Sequence, residues 1–155
     1  MRRILSPSAG LVVLAIAAGI SSQACAAKMM TPAQIAATGA RPYNRAHDPR
    51  ELVRASAAAL ESLGFEVVVE DAATGKVVTR PRTVVIKEHA PIAVAWSVAV
   101  EQTATGSVIH AQPQYLKSGS PIAALDAPYV RASLTELFDE IDASLPSATE
   151  TTSAR

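Results

Sequence analysis

The stretch from Pro49 to Thr79 constrains the fold more than any other, because it reads without interruption as helix, turn, strand, turn and strand. Asp48 offers a carboxylate at an N-cap, Pro49 supplies the fixed φ of a first helical position, and Glu51 stands three residues after the cap, a capping box in Asp form. Leu52, Val53, Ser56, Ala59, Leu60 and Leu63 recur at three- and four-residue spacing, with Arg50, Arg54, Glu61 and Ser62 on other faces, which predicts one amphipathic helix. Gly64 follows the last periodic residue, where a left-handed conformation closes a helix without a Cβ penalty. In the strand that follows, alternation places Phe65, Val67 and Val69 on a core face and Glu66, Val68 and Glu70 on the other. Asp71-Ala72-Ala73-Thr74-Gly75-Lys76 carries hairpin chemistry before Val77, Val78 and Thr79 resume the extended pattern. Thr74-Gly75-Lys76 is superficially the end of a phosphate-binding loop, but Glu70 stands where the earlier glycine belongs and no Ser or Thr follows Lys76, so that reading is rejected.

One helix and one hairpin cannot bury their apolar faces alone, and the rest of the chain must supply the cover. Arg80-Pro81-Arg82 interrupts the ladder, since proline has no N–H to donate, before a further extended run from Thr83 to Lys87. Ile92, Val94, Trp96, Val98 and Val100 alternate with Ala93, Ala95, Ser97 and Ala99, which predicts a central strand. Thr103 to Gly106 turn the chain into its partner, Ser107 to Leu116. Lys117 to Asp126 reads as a loop around Ser118-Gly119-Ser120-Pro121, long enough to carry function. Asp126 is placed to cap a second helix, whose residues Val130, Leu134, Leu137, Phe138, Ile141 and Leu145 form an apolar stripe. Upstream, Ile35 to Tyr43 reads as an extended edge segment, because Gly39 and Pro42 argue against a central strand. The expected fold is α+β, an antiparallel sheet of four or five strands with two helices packed on one face. One domain, residues 35–145, is expected, followed by a flexible tail, residues 146–155.

The 155 residues suit one domain, and 49% hydrophobic content is enough for a packed core. Arg2 and Arg3 precede an apolar run from Ala9 to Ile20 and the polar stretch Ser21-Ser22-Gln23, so residues 1–24 read as a signal peptide. Twelve apolar residues span about 18 Å as a helix, short of the roughly 30 Å hydrocarbon core. Cys25, the only cysteine, stands where such a signal is cut. It resembles the modified cysteine of bacterial lipoproteins, which implies a diacylated (palmitate-bearing) residue one, a tether over residues 25–34 and membrane attachment through that anchor. Ala24 fits the lipoprotein cleavage pattern, whereas Ser22 stands where Leu is usual and Gln23 is uncommon. Ordinary cleavage is the alternative, because Ser22-Gln23-Ala24 and Ala24-Cys25-Ala26 both serve as small-residue sites and would leave a soluble periplasmic or secreted protein. By the same resemblance, Ala26 points to the periplasmic face of the outer membrane.

The whole chain has no net formal charge, and without Arg2 and Arg3 the 14 basic residues become 12 against 14 acidic. With aromatics at 4% and acids interspersed, nucleic acid is not an expected partner. Catalysis needs a nucleophile, base or metal brought together, and the chain offers three histidines, no second cysteine and no G-x-S-x-G or H-E-x-x-H pattern. No catalytic residue, metal site or cofactor is expected. His47, His89 and His110 match no metal spacing and read as surface or half-buried side chains. Glu136, Asp139 and Glu140 form a solvated helix face rather than a cation site. Arg41, Arg45, Arg50 and Arg54 read as scattered solubilising charge, with contact to anionic lipid or peptidoglycan as the functional alternative. Trp96 is the most ambiguous residue, either a core filler with one indole partner or the wall of an apolar ligand site. Trp96, Ser118, Gly119 and Ser120 are the candidate ligand- or partner-binding residues.

The helix entering Ser62-Leu63-Gly64-Phe65-Glu66-Val67, the turn from Asp71 to Gly75-Lys76-Val77-Val78-Thr79 and the closing helix from Tyr129 to Leu145 resemble small envelope lipoproteins of uncharacterised families. More distantly, residues Ala33 to Leu145 are similar to the helix-grip domains of lipoproteins in the outer-membrane β-barrel assembly machinery. The resemblance implies an assembly or scaffolding role and carries over no functional residue. The expected function is a non-enzymatic cell-envelope lipoprotein acting as a structural or interaction module for an envelope protein. The alternative is a periplasmic carrier holding a lipid or other apolar ligand between sheet and helix.

Overall fold

The computed structural model describes residues 29–85, 91–122 and 125–146; the expected signal peptide, Cys25, His89 and residues 147–155 lie outside these. In chain order the elements are β1 (Met29–Met30), α1 (Pro32–Thr38), β2 (Ala40–Asn44), α2 (Pro49–Ser62), β3 (Val67–Asp71), β4 (Lys76–Thr79), β5 (Arg82–Val84), β6 (Ile92–Gln102), β7 (Gly106–Lys117), β8 (Ser120–Pro121), β9 (Leu125–Asp126) and α3 (Ala127–Ser144).

The architecture is α+β and antiparallel, as the alternation requires, and it is built on the β6–β7 hairpin, paired from Ala93 with Leu116 to Gln102 with Ser107. Each long strand is flanked by two short segments: β4 and β5 along β6, β2 and β8 along β7, with β3 outside β4. The sheet therefore has seven strands rather than four or five, and three helices rather than two are present. The extra strand beside β6 arises at Arg80-Pro81, where the pairing of β4 with β6 ends at Val78 opposite Ser97 and β5 begins at Arg82 opposite Val94. Proline cannot donate across that break, and the buried Thr79 repairs it: its Oγ1 accepts the Trp96 backbone N–H at 2.9 Å.

Helices α2 and α3 pack on each other and on the sheet face that carries Val94, Trp96, Val98, Ile109 and Tyr115, forming one core with Leu52, Val53, Leu60, Val130, Leu134, Leu137 and Ile141. Asp48 caps α2, its Oδ1 accepting the Arg50 N–H at 2.7 Å. That bond goes to the second helical residue rather than to Glu51 at the third, and the reciprocal bond from Glu51 is not formed, so Asp48 is a simple N-cap rather than the expected capping box, and Glu51 acts only through its charge in the first turn. At the other end Gly64 adopts φ +81°, the Phe65 N–H reaches the Leu60 carbonyl at 2.9 Å and the Gly64 N–H the Glu61 carbonyl at 2.8 Å, a Schellman closure that turns the chain into β3.

Three expectations are corrected. The tether and edge segment read over residues 25–43 contain β1, which pairs with β9, and α1. Thr31 and Gln34 make a full capping box and Pro32 opens the helix, so only Ala40 to Asn44 is extended. Gly39 joins α1 to β2 because a Cβ there would strike the Ala111 carbonyl oxygen. Second, the register slips between Val67 and Val69: Val67 faces Thr79 and Val69 faces Val78, so the bulge turns Val69 away from the core, 40% exposed. Third, the Lys117 to Asp126 loop is partly a hairpin. Ser118 (φ 52°) and Gly119 (φ 81°) both adopt left-handed backbone, the two-residue turn whose twist suits a sheet, and fold β8 back onto Leu116 and Lys117. Asp126 does stand at the N-cap of α3, but its side chain makes no capping bond.

Candidate functional site

Both large helices lie on one face of the sheet, so the other face is the first place to look for function. Register defines its side chains, because β-strand neighbours alternate between faces. Three adjacent rows run across it: Thr83–Ala93–Leu116, Ala95–Gln114, and Val69–Val78–Ser97–Gln112. None carries a charge, and no side chain larger than Leu or Gln stands in them. Charge begins in the next rows, with Asp71 and Lys76 paired beside Ala99 and His110, then Glu101 opposite Val108. Among the described residues α2 and α3 lie on the opposite face, and only Pro32 and Ile35 of α1 approach this one, at its β7 edge, where they line a hollow with Ser97, Gln112 and Gln114. His110 is spent locally, its Nε2 standing 3.4 Å from a Glu101 carboxylate oxygen.

The second feature is a cleft of about 300 Å³ between the sheet and α3. Val94 and Trp96 of β6, Phe65 after α2, and Tyr129 and Ser133 of α3 line it, with the exposed Arg82 and Glu136 at its mouth. The Phe65 and Trp96 rings meet edge to face, centroids 6.3 Å apart at 84°. The Arg82 guanidinium lies 5.6 Å from the Phe65 ring centroid and donates to the Leu63 carbonyl, satisfying the end of α2. Trp96 is 3% exposed, so the core-filling expectation holds for the body of its ring. Its indole Nε1, however, has no hydrogen-bond partner among the described residues.

A third hollow, about 350 Å³, lies at the outer edge of β7 where β2 has ended and β8 has not begun. Ala111 donates outward to Gly39 and Tyr115 accepts from Ile122, so the intervening Pro113 also faces outward. Proline there removes the N–H that an edge would offer to another chain. The buried Tyr115 hydroxyl beside it also lacks a partner among the described residues, and burial pushes its pKa up.

The candidate residues named from sequence are not brought together. Trp96 pairs with Pro113, five positions along β7 from Ser118, a separation of about 17 Å along a strand. Ser118, Gly119 and Ser120 form an exposed turn. Of the basic group, Arg41 is engaged: it bonds Asp142 at 2.9 Å and lies over the Phe138 ring, while the Tyr43 hydroxyl donates to the same carboxylate at 2.8 Å. Arg45 donates to the Ala104 carbonyl. Among the described residues no group of three His, Cys, Asp or Glu side chains is placed to hold a metal ion, and no helix is long and apolar enough to cross a membrane. Arg82, Glu136, Tyr129 and Ser133, which complete the cleft, carry no sequence signal; they meet Trp96 only through long-range packing. Comparison with protein-family models and with curated proteins gives no match.

Proposed function

We propose that the chain is a non-enzymatic lipoprotein of the cell envelope that holds an envelope protein against the uncovered face of its sheet. The observation that carries the reading is the one-sidedness of the sheet: α2 and α3 occupy one face, and the other offers three consecutive uncharged rows of small or short side chains. Such a surface excludes little water by itself and packs best on a partner that is equally flat and uncharged, since any charge set against it would lose its hydration without compensation. Membrane attachment rests on Cys25 and the signal sequence before it. Because β1 begins at Met29, the span from Cys25 to the folded domain is four residues, at most about 14 Å of chain. A diacylated Cys25 therefore keeps the domain at the bilayer surface, and its partner is a protein that reaches the same plane.

Gln112→Glu tests the docking face. The side chain is exposed and nearly isosteric, so the fold tolerates it, but it places a charge inside the uncharged rows. We expect recovery of the envelope partner to fall about tenfold or more, as a desolvated unpaired charge costs at an interface, while Glu61→Gln on the outer surface of α2 leaves it unchanged. Equal recovery by both variants overturns the assignment of this face.

A further inference from the structure

We infer that the side of the domain formed by Met29, α1 and the first turns of α3 lies against the bilayer, with the Met29 side chain in the headgroup layer and the Arg131 guanidinium on phospholipid phosphates. This rests on the reading of Cys25 as a lipid anchor and deepens it, since an anchor sets the distance to the membrane but not the face that is presented.

Three observations converge. The first is reach. Four residues separate Cys25 from Met29, at most about 14 Å of chain, so this end of the fold is the one an anchor holds nearest the lipid. A tether so short gives an effective concentration in the millimolar range, and a surface of roughly millimolar affinity then suffices to hold one orientation. The second is the chemistry of that end. Met29 is 51% exposed although β1 pairs it with β9, and α1 beside it buries only Ile35. No residue from Met29 to Ala40 is charged, so this surface can enter the headgroup layer without stripping water from a charge. The third is an unspent cation. Met29, Met30, Ala37 and Ala127 line a hollow of about 230 Å³ between α1 and α3, and the exposed Arg131 stands in its wall. Arg131 has no ion pair among the described residues, and the side chains one turn away on α3, Ala127, Pro128, Leu134 and Thr135, are not acidic. Asp126, half-buried opposite Met29, is the one acid in this part of the fold. This side therefore carries no net negative charge, whereas the chain from Cys25 onward does, and an anionic leaflet attracts cations and repels acids.

The single cysteine allows the tether to be supplied chemically. The ¹⁵N-labelled mature chain, residues 25–155, is coupled through Cys25 to a maleimide-headgroup phospholipid in nanodiscs of phosphatidylethanolamine with a minority of phosphatidylglycerol and of a headgroup nitroxide lipid. This arrangement does not depend on whether cells diacylate Cys25, which metabolic palmitate labelling reads separately. The amides of Ala33, Ala37 and Ala132 are expected to be broadened well beyond those of Arg54 on α2 and Ala73 in the β3–β4 turn. Met29→Ser combined with Arg131→Gln, both at exposed positions, keeps the dispersion of the spectrum and frees the domain to pivot. Broadening at Ala132 should then fall about fivefold, as the loss of one headgroup-bound cation implies, and broadening at Arg54 and Ala73 should rise. Equal broadening at all five positions, stronger broadening at Arg54 or Ala73, or a profile unchanged by the two substitutions, which would be the effect of the tether alone, each overturns the inference.

Discussion

Replacing Tyr115 by phenylalanine removes one oxygen and leaves the ring, and the position of that oxygen makes the outcome informative. Tyr115 is 4% exposed, packs 6.0 Å from the Tyr129 ring, and its hydroxyl has no partner among the described residues. A buried hydroxyl that has given up water without gaining a partner costs about 1–3 kcal/mol. After allowing for lost contacts of the oxygen itself, Tyr115→Phe is expected to stabilise the domain by about 1 kcal/mol at neutral pH. With a urea slope of about 2 kcal/mol/M, the midpoint should rise by roughly 0.5 M. The same burial also gives a pH signature. Desolvation, and then the neighbouring Tyr129, raise the folded-state pKa of Tyr115 above the ordinary 10.0. A raised folded pKa means the folded state holds the proton more tightly, so this contribution is complete below about pH 10 and is lost as pH rises above it, by up to about 1.4 kcal/mol per pH unit. Tyr43 behaves likewise, raised by burial and then by its bond to Asp142, so the alkaline loss should become shallower in Tyr115→Phe without disappearing. Urea titrations at pH 7 and at pH 10.5 to 11.5 measure both effects. A loss of 1 kcal/mol or more at neutral pH, or an alkaline slope identical to wild type, would refute the reasoning.

Other consequences can be checked by simple denaturation. Gly39→Ala forces a Cβ onto the Ala111 carbonyl where α1 meets β2, and should lower Tm by roughly 8 °C, which corresponds to about 2 kcal/mol. Thr79→Val leaves the buried Trp96 backbone N–H without its acceptor at the Arg80-Pro81 break and should cost about 1–3 kcal/mol, whereas Thr79→Ser, which keeps the hydroxyl, should cost less than half of that. Asp142→Ala removes the common partner of Arg41 and Tyr43; both groups are partly exposed, so about 1 kcal/mol is expected, and a double-mutant cycle with Tyr43→Phe should show the two sites to be coupled. Metabolic palmitate labelling should mark the wild-type chain and spare Cys25→Ala; equal absence of label from both would remove the anchor.

Where local rules act alone, the sequence was readable. The Asp48 cap, the stripe from Leu52 to Leu63, the Gly64 closure and the alternation from Ile92 to Val100 each depend on near neighbours, and each is present. The Val67-Val68-Val69 run was not readable in the same way, because three identical residues carry no phase and the bulge that turns Val69 outward is set by its partner Val78. Helix α1 carries a full capping signature in Thr31, Pro32 and Gln34, but Gly39 and Pro42 favour an extended reading of the whole stretch, and that competing signal hides the helix. The split of one strand into β4 and β5 was signalled by Pro81, but the Thr79 hydroxyl that makes the split affordable was not. Trp96 was recognised as ambiguous and is so for a physical reason: its ring is core, while its Nε1 lacks a partner among the described residues. Ser118 and Gly119 form a tight turn of two left-handed residues, a local reason for those residue types that stands beside the partner-binding expectation for Ser118, Gly119 and Ser120.

The docking assignment is tested most directly by site-specific photo-crosslinking in living cells, with the photoreactive residue placed in turn at Ser97 and Gln112 on the uncovered face and at Glu61 and Thr135 on the outer helix surfaces. The account predicts one adduct of the same mass from Ser97 and Gln112, larger than the chain by an envelope protein, and none of that mass from Glu61 or Thr135. No adduct from the sheet positions, the same adduct from all four, or an adduct of twice the chain mass, which would mean self-association, contradicts it.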